Sequence, residues 1–219
     1  MKKLVVLTAG LSSPSTTRML AEQVAAAVEA QVTKRGEGVE VEFVEIREYA
    51  QDLAQFMTTH VPTQHLRAVQ EKVTAADALV AVTPVFSASY SGLFKMFIDA
   101  LSTDSLNSMP VLIAATAGTP RHQLVLDFAM RPLFTYLRAT VMPTGVFAAT
   151  EDFGGTTDMA PRVERAASEL ASYMVRADGE VAGLAPAEFT GGTPRRDAGT
   201  QVSGGGMDFA SLLKGHTGD

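Results

Sequence analysis

Ala78-Leu79-Val80-Ala81-Val82-Thr83-Pro84 is an uncharged run that ends on a proline. A strand buried on both faces reads this way, as a continuous apolar segment rather than an alternating one. Two other runs match it: Leu4-Val5-Val6-Leu7-Thr8 upstream, and Pro110-Val111-Leu112-Ile113-Ala114-Ala115-Thr116 downstream. Helical periods separate them. Residues 16–35 place Leu20, Val24, Val28 and Val32 on one face, and Gly36 and Gly38 end the pattern. Residues 64–76 read as a second helix. Residues 89–101 read as a third, with Leu93, Phe94, Phe97 and Leu101 inward. Residues 121–138 read as a fourth, kinked or bulged at Pro132. Residues 160–177 form the last. Residues 39–46 alternate and read as a peripheral strand, and residues 140–148 as the final strand. Residues 47–63 lack a clean period and read as a short helix plus a variable loop.

Strands alternating with helices in this way describe an α/β fold, a parallel sheet with helices on both faces. Five strands over about 180 residues suit the flavodoxin-like order 2-1-3-4-5 better than a barrel or a six-strand dinucleotide fold. The expected division is a domain over residues 1–178 and a glycine-rich tail over 179–219. Within the tail, Gly204-Gly205-Gly206 precedes a short amphipathic segment, residues 207–213.

Composition removes several function classes. The 219 residues contain no cysteine, which excludes disulfide scaffolds, cysteine-ligated zinc, iron–sulfur clusters and thiol catalysis. A net charge of −6 argues against nucleic acid as a partner, which would call for a basic face. Lys2 and Lys3 before an apolar run resemble a secretory signal, but the run stops at Thr8 and a first strand explains it better. No run approaches the ~18 apolar residues of a membrane span. The expectation is a soluble cytoplasmic protein without a membrane partner. His60 and His65 show no metal-ligand spacing, and no metal site is expected. Glu37, Glu40, Glu42, Glu45 and Glu48 read as a solvated edge-strand face.

In an open α/β sheet, ligands bind outside the carboxyl ends of the strands, at the switch point of strand order. Three loops therefore matter most. The first, Gly10-Leu11-Ser12-Ser13-Pro14-Ser15-Thr16-Thr17-Arg18, carries hydroxyls and a cation where a helix begins, a setting that favours a phosphate. A hydroxyl-rich helix cap without a ligand is the plain alternative. No nucleotide-triphosphate loop and no Gly-x-Gly-x-x-Gly stretch is present. The second loop is Thr83-Pro84-Val85-Phe86-Ser87-Ala88-Ser89-Tyr90-Ser91-Gly92-Leu93-Phe94-Lys95, and the third is Thr116-Ala117-Gly118-Thr119-Pro120-Arg121-His122-Gln123-Leu124.

The second loop resembles the Pro-x-Tyr-x-x-Ser-Tyr-Ser/Pro-Gly-x-x-Lys signature of the NADPH-dependent FMN reductase family. The first loop resembles that family's Ser-Pro-Ser-rich phosphate loop. The third is similar to the Gly-Gly-Ser-x-x-His-Leu stretch of reductases that supply reduced FMN to two-component monooxygenases. Phe86 replaces a frequent tyrosine and removes a hydroxyl, and Thr116-Ala117-Gly118 stands where Thr-Gly-Gly is common.

The resemblance implies an FMN reductase that uses NADPH or NADH. Ser12, Ser15, Thr16, Thr17 and Arg18 would hold the FMN phosphate. Pro84, Val85, Phe86 and Ser87 would line the ring and ribityl chain, and Thr116, Ala117 and Gly118 would offer backbone groups to the pyrimidine edge. Arg121 and His122 are candidates for the nicotinamide substrate. No catalytic acid or base is expected, because the flavin accepts the hydride. The partners implied are a second copy of the chain, as homodimer or homotetramer, and a flavin-dependent monooxygenase. The alternatives are an FMN-containing quinone, azo or metal-ion reductase and a non-enzymatic flavodoxin-like carrier.

Overall fold

The apolar runs become neighbouring parallel strands. The computed structural model describes residues 1–154 and 159–175. Its strands are β1 (Lys2–Thr8), β2 (Val39–Glu45), β3 (Ala78–Phe86), β4 (Ser89–Tyr90), β5 (Pro110–Ala117), β6 (Thr140–Val141) and β7 (Val146–Ala149). They order as β2-β1-β3-β5, with β6 and β7 both paired to the far side of β5. All pairs are parallel except β4, which folds back on β3. The flavodoxin-like order holds in part: the sheet has seven strands rather than five, because two short strands share the fifth position and β4 folds back on β3.

The helices are α1 (Thr16–Thr33), α2 (Ala50–Thr59), α3 (Gln64–Thr74), α4 (Gly92–Ala100), α5 (Arg131–Tyr136) and α6 (Ala160–Met174). Period-two alternation divides the sheet's side chains between two cores. Leu4, Val6, Val80, Val82, Leu112 and Ala114 face α1 and α6. Val5, Leu7, Leu79, Ala81, Val111 and Ile113 face α2, α3, α4 and α5. Leu20, Val24, Val28 and Val32 of α1 are fully buried, and each contributes about 1.5–3 kcal/mol. Among the described residues, no helix is long and apolar enough to cross a membrane.

Four expectations need correction. The final strand is not continuous over 140–148. Pro143 interrupts it, and side chains take up the freed backbone groups. Arg131 donates to the carbonyls of Met142 and Pro143, Arg162 donates to that of Gly145, and Glu169 accepts from the Thr144 N–H. Pro84 does not stop the third strand, which continues to Phe86. Helix α4 starts at Gly92 rather than Ser89, because Ser91 caps it by accepting from the Phe94 N–H. The helix expected over 121–138 is a 3-10 turn (Pro120–His122), a π-turn (Leu126–Met130) and then α5. Pro132 lacks the N–H that would bond the Phe128 carbonyl, and the Arg131 N–H reaches back five residues to Leu126. The bulge expected at Pro132 is therefore the π-turn that precedes it. The tail over 179–219, with its segment 207–213, lies outside the described residues.

Candidate functional site

β1, β3 and β5 end side by side and deliver the three loops to one edge of the sheet. The Ala9 N–H bonds the Val82 carbonyl at 3.0 Å, and Pro84 pairs in register with Thr116. Pro84 lies past the last β1 partner, since Thr8 pairs with Val82, so its missing donor costs no bond to that strand.

The first loop is tightly built. Ser15 is the N-cap of α1, its Oγ accepting from the Arg18 N–H at 3.2 Å. A Cβ on Gly10 would lie 2.1 Å from that Oγ, so glycine is what lets the strand end close against the cap. Thr17 is buried, and its hydroxyl pairs with that of Thr116 at 2.8 Å, tying the first loop to the third. Ser12 and Thr16 are exposed and Ser15 is partly so. The first-turn N–H groups of Thr16 and Thr17 have no intrahelical acceptor, and the helix dipole adds positive character there.

The side chain of Arg18, another expected phosphate ligand, is engaged by two carboxylates and a ring. Its Nε donates to Glu22 at 2.7 Å and its Nη1 to Glu45 at 2.8 Å. Its guanidinium carbon stands 3.8 Å from the centre of the Phe43 ring. Its contribution to the loop in this arrangement is its capped N–H.

The second loop is a β-hairpin. Val85 pairs with Tyr90 and Phe86 with Ser89. Ser87 (φ 48°) and Ala88 (φ 65°) both occupy left-handed backbone, as a tight two-residue hairpin turn demands but without the usual glycine or asparagine. The buried Thr83 Oγ1 donates to the Pro84 carbonyl and accepts from the Ser91 N–H, locking the hairpin base. Phe86 at the tip is 48% exposed. In the third loop, apart from its chain neighbours, no atom of the described residues lies within 4 Å of where a Gly118 Cβ would stand. That backbone is open to approach from outside. Arg121 and His122 lie just beyond, on the 3-10 turn, with 3.3 Å between Arg121 Nε and His122 Nε2.

A phosphate-bearing flavin fits these residues on observations independent of the motifs. The Thr8 hydroxyl, at the end of β1 directly before the first loop, is buried and has no partner among the described residues. Buried hydroxyls are ordinarily satisfied, so the Thr8 Oγ1 is an acceptor and donor left unused at this edge. The first-turn N–H groups at the start of α1 are of the kind that suits an anion.

Sequence reasoning missed Thr8, Gly10, Glu45 and Arg47. Thr8 looked like the end of an apolar run, and Glu45 like one of several solvated glutamates. Arg47 had a signal: it lies two residues past the end of β2, whose carboxyl end adjoins the first loop. Elsewhere, His65 Nδ1 and Asp52 Oδ2 are 2.9 Å apart, and His65 stacks on Tyr49. The hydrogen bond from Thr63 and then that from His65 hold the Asp52 carboxyl below its ordinary range. These partners include no residue of the three loops.

The model of the NADPH-dependent FMN reductase family matches residues 2–154. The chain belongs to that family. It is 34% identical over 153 residues to an FMN reductase (NADPH) of Pseudomonas aeruginosa, covering 69% of this chain and 78% of that one. It is 38% identical over 149 residues to the NADH-dependent FMN reductase SfnE of Pseudomonas putida, covering 66% and 75%. A crystal structure of an oxidoreductase from Corynebacterium diphtheriae superposes with a TM-score of 0.78 at 54% identity, over 81% of this chain and 98% of that one. In an open α/β sheet, ligands bind outside the carboxyl ends of the strands, the edge that carries the three loops.

Proposed function

We propose that the protein is an NAD(P)H-dependent FMN reductase of the cytoplasm that passes reduced FMN to a separate flavin-dependent monooxygenase. The observation that carries this reading is the Thr17–Thr116 bond, which joins the phosphate-type loop to the loop suited to the ring edge. In this reading the N–H groups and hydroxyls of Ser12, Ser15, Thr16 and Thr17 hold the phosphate. Pro84, Val85, Phe86 and Ser87 flank the ring and ribityl chain. The backbone of Thr116, Ala117 and Gly118 meets the pyrimidine edge. Arg121 and His122 receive the ribose or 2′-phosphate of the nicotinamide. Bound FMN supplies the hydride-accepting centre, so the chain's task is orientation and exclusion of water.

The site's outer wall is open, and we assign its completion to a second copy of the chain in a homodimer or homotetramer. Leu124 (58% exposed), Phe128 (79%) and Tyr136 (77%), with exposed Pro132, recur every fourth residue beside the third loop. An apolar stripe of this kind is characteristic of an interaction surface. Sedimentation at micromolar concentration tests this: a monomer with full activity refutes it.

The activity test is NAD(P)H oxidation in air with and without added FMN. Oxidation that saturates with FMN supports the reading. Oxidation that needs an added quinone, azo or metal-ion acceptor assigns the site to a bound-FMN reductase instead. Near-absent oxidation under all conditions identifies a carrier.

A further inference from the structure

A carboxylate beside an anion-binding loop disfavours the anion. Glu45 nevertheless stands at the end of β2, half-buried, next to the first loop. Its Oε1 receives Arg18 Nη1 at 2.8 Å, and its Oε2 lies 3.9 Å from Arg47 Nε. Arg47 in turn donates from Nη1 to the Ser12 carbonyl at 3.2 Å, a bond between residues 35 apart in sequence. The intervening Ile46 is fully buried and fixes the backbone from which both side chains spring. Glu45 thus links the start of α1, through Arg18, to the crest of the first loop, through Arg47.

The carbonyl that Arg47 holds has a consequence for the next residue. In a trans peptide the C=O of one residue and the N–H of the next point in opposite directions. The Ser12–Ser13 bond is trans, so a Ser12 carbonyl turned toward Arg47 turns the Ser13 N–H away from it.

We propose that Glu45 and Arg47 are positioning residues of the phosphate loop. Arg47 fixes the Ser12–Ser13 peptide so that the Ser13 N–H serves as an additional phosphate donor, and Glu45 fixes Arg47 and Arg18. The pair thereby sets the preference for phosphorylated over unphosphorylated flavin. This rests on the FMN reading of the site.

Fluorescence titration of FMN and riboflavin into the full chain and its Arg47→Ala, Arg47→Lys and Glu45→Ala variants tests the proposal, with thermal melts as the folding control. The expected result is an FMN Kd raised about three- to tenfold in Arg47→Ala and Glu45→Ala. Riboflavin affinity stays within about twofold, and Arg47→Lys recovers part of the loss. Glu45→Ala decides by sign. If local charge alone governs the loop, removing the carboxylate tightens FMN, and that result overturns the proposal. Equal weakening of both flavins, or no change in either, overturns it too while leaving the FMN site standing. Equal affinity of the unaltered protein for both flavins instead removes the phosphate-loop reading and this proposal with it.

Discussion

In the first loop Ser15 caps α1, Thr17 bonds Thr116 and Arg47 holds Ser12; in the β3–β4 hairpin the tip residues Phe86, Ser87 and Ala88 are exposed and the turn carries two left-handed non-glycine residues. Both lie at the same sheet edge, yet side-chain bonds fix one along its length, and among the described residues those of the other gather at its base, on Thr83. The difference maps onto ligand chemistry. A phosphate needs N–H groups fixed in advance, because their reorganisation would cost the affinity they provide. A flat ring and a second substrate that must come and go need a wall that yields.

The hardest blow to the closed loop is Gly10→Ala. The new Cβ would displace the Ser15 hydroxyl, removing the cap and distorting the cradle. Thermal or denaturant unfolding should show a loss of about 1–2 kcal/mol, with FMN binding weakened about tenfold or more. Unchanged binding would mean that the cap and the cradle are independent. Next comes Thr17→Val, which strands the buried Thr116 hydroxyl and should cost about 1–2 kcal/mol of stability. The double variant Thr17→Val with Thr116→Val should recover most of that loss, because no polar group is left unpaired. A double variant worse than the single one would show that the hydroxyls serve something other than each other.

These effects concern contacts that the sequence shows unequally. The strands and their order were legible because fully apolar runs have few other uses. The first loop was legible because hydroxyls and a strand-to-helix transition coincide there. The hairpin was not. Ser87, Ser89 and Ser91 are all possible helix caps, and only the Thr83 hydroxyl, meeting the Ser91 N–H, selects among them. The commitment of Arg18 was equally hidden, since Glu45 lies 27 residues away and its alternating neighbours resemble a solvated face. The break at Pro143 depends on Arg131, Arg162 and Glu169 reaching it from other elements.

On the yielding side, Ala88→Gly relieves a left-handed residue at φ 65° and should stabilise the protein by about 0.5–1 kcal/mol. If a partner subunit fixes the turn, the gain should be read as altered nicotinamide KM rather than altered FMN affinity. An equal effect on both would erase the distinction between the two regions. A control outside both is Asp52→Asn. A carboxyl held below its unfolded-state value adds stability that is present at neutral pH and lost as pH falls through its folded-state value. The variant should flatten the acid end of the stability profile by less than about 1 kcal/mol, since the pair is largely solvated, with no change in flavin binding.

The proposed site has the closed loop holding the flavin phosphate while the hairpin and Gly118 flank the ring. A crystal structure of the protein grown with FMN tests this most directly. The expected result is the phosphate within hydrogen-bond distance of the Ser15, Thr16 and Thr17 groups and the ring against Pro84 and Gly118. A phosphate bound elsewhere, with the first loop empty, would contradict it.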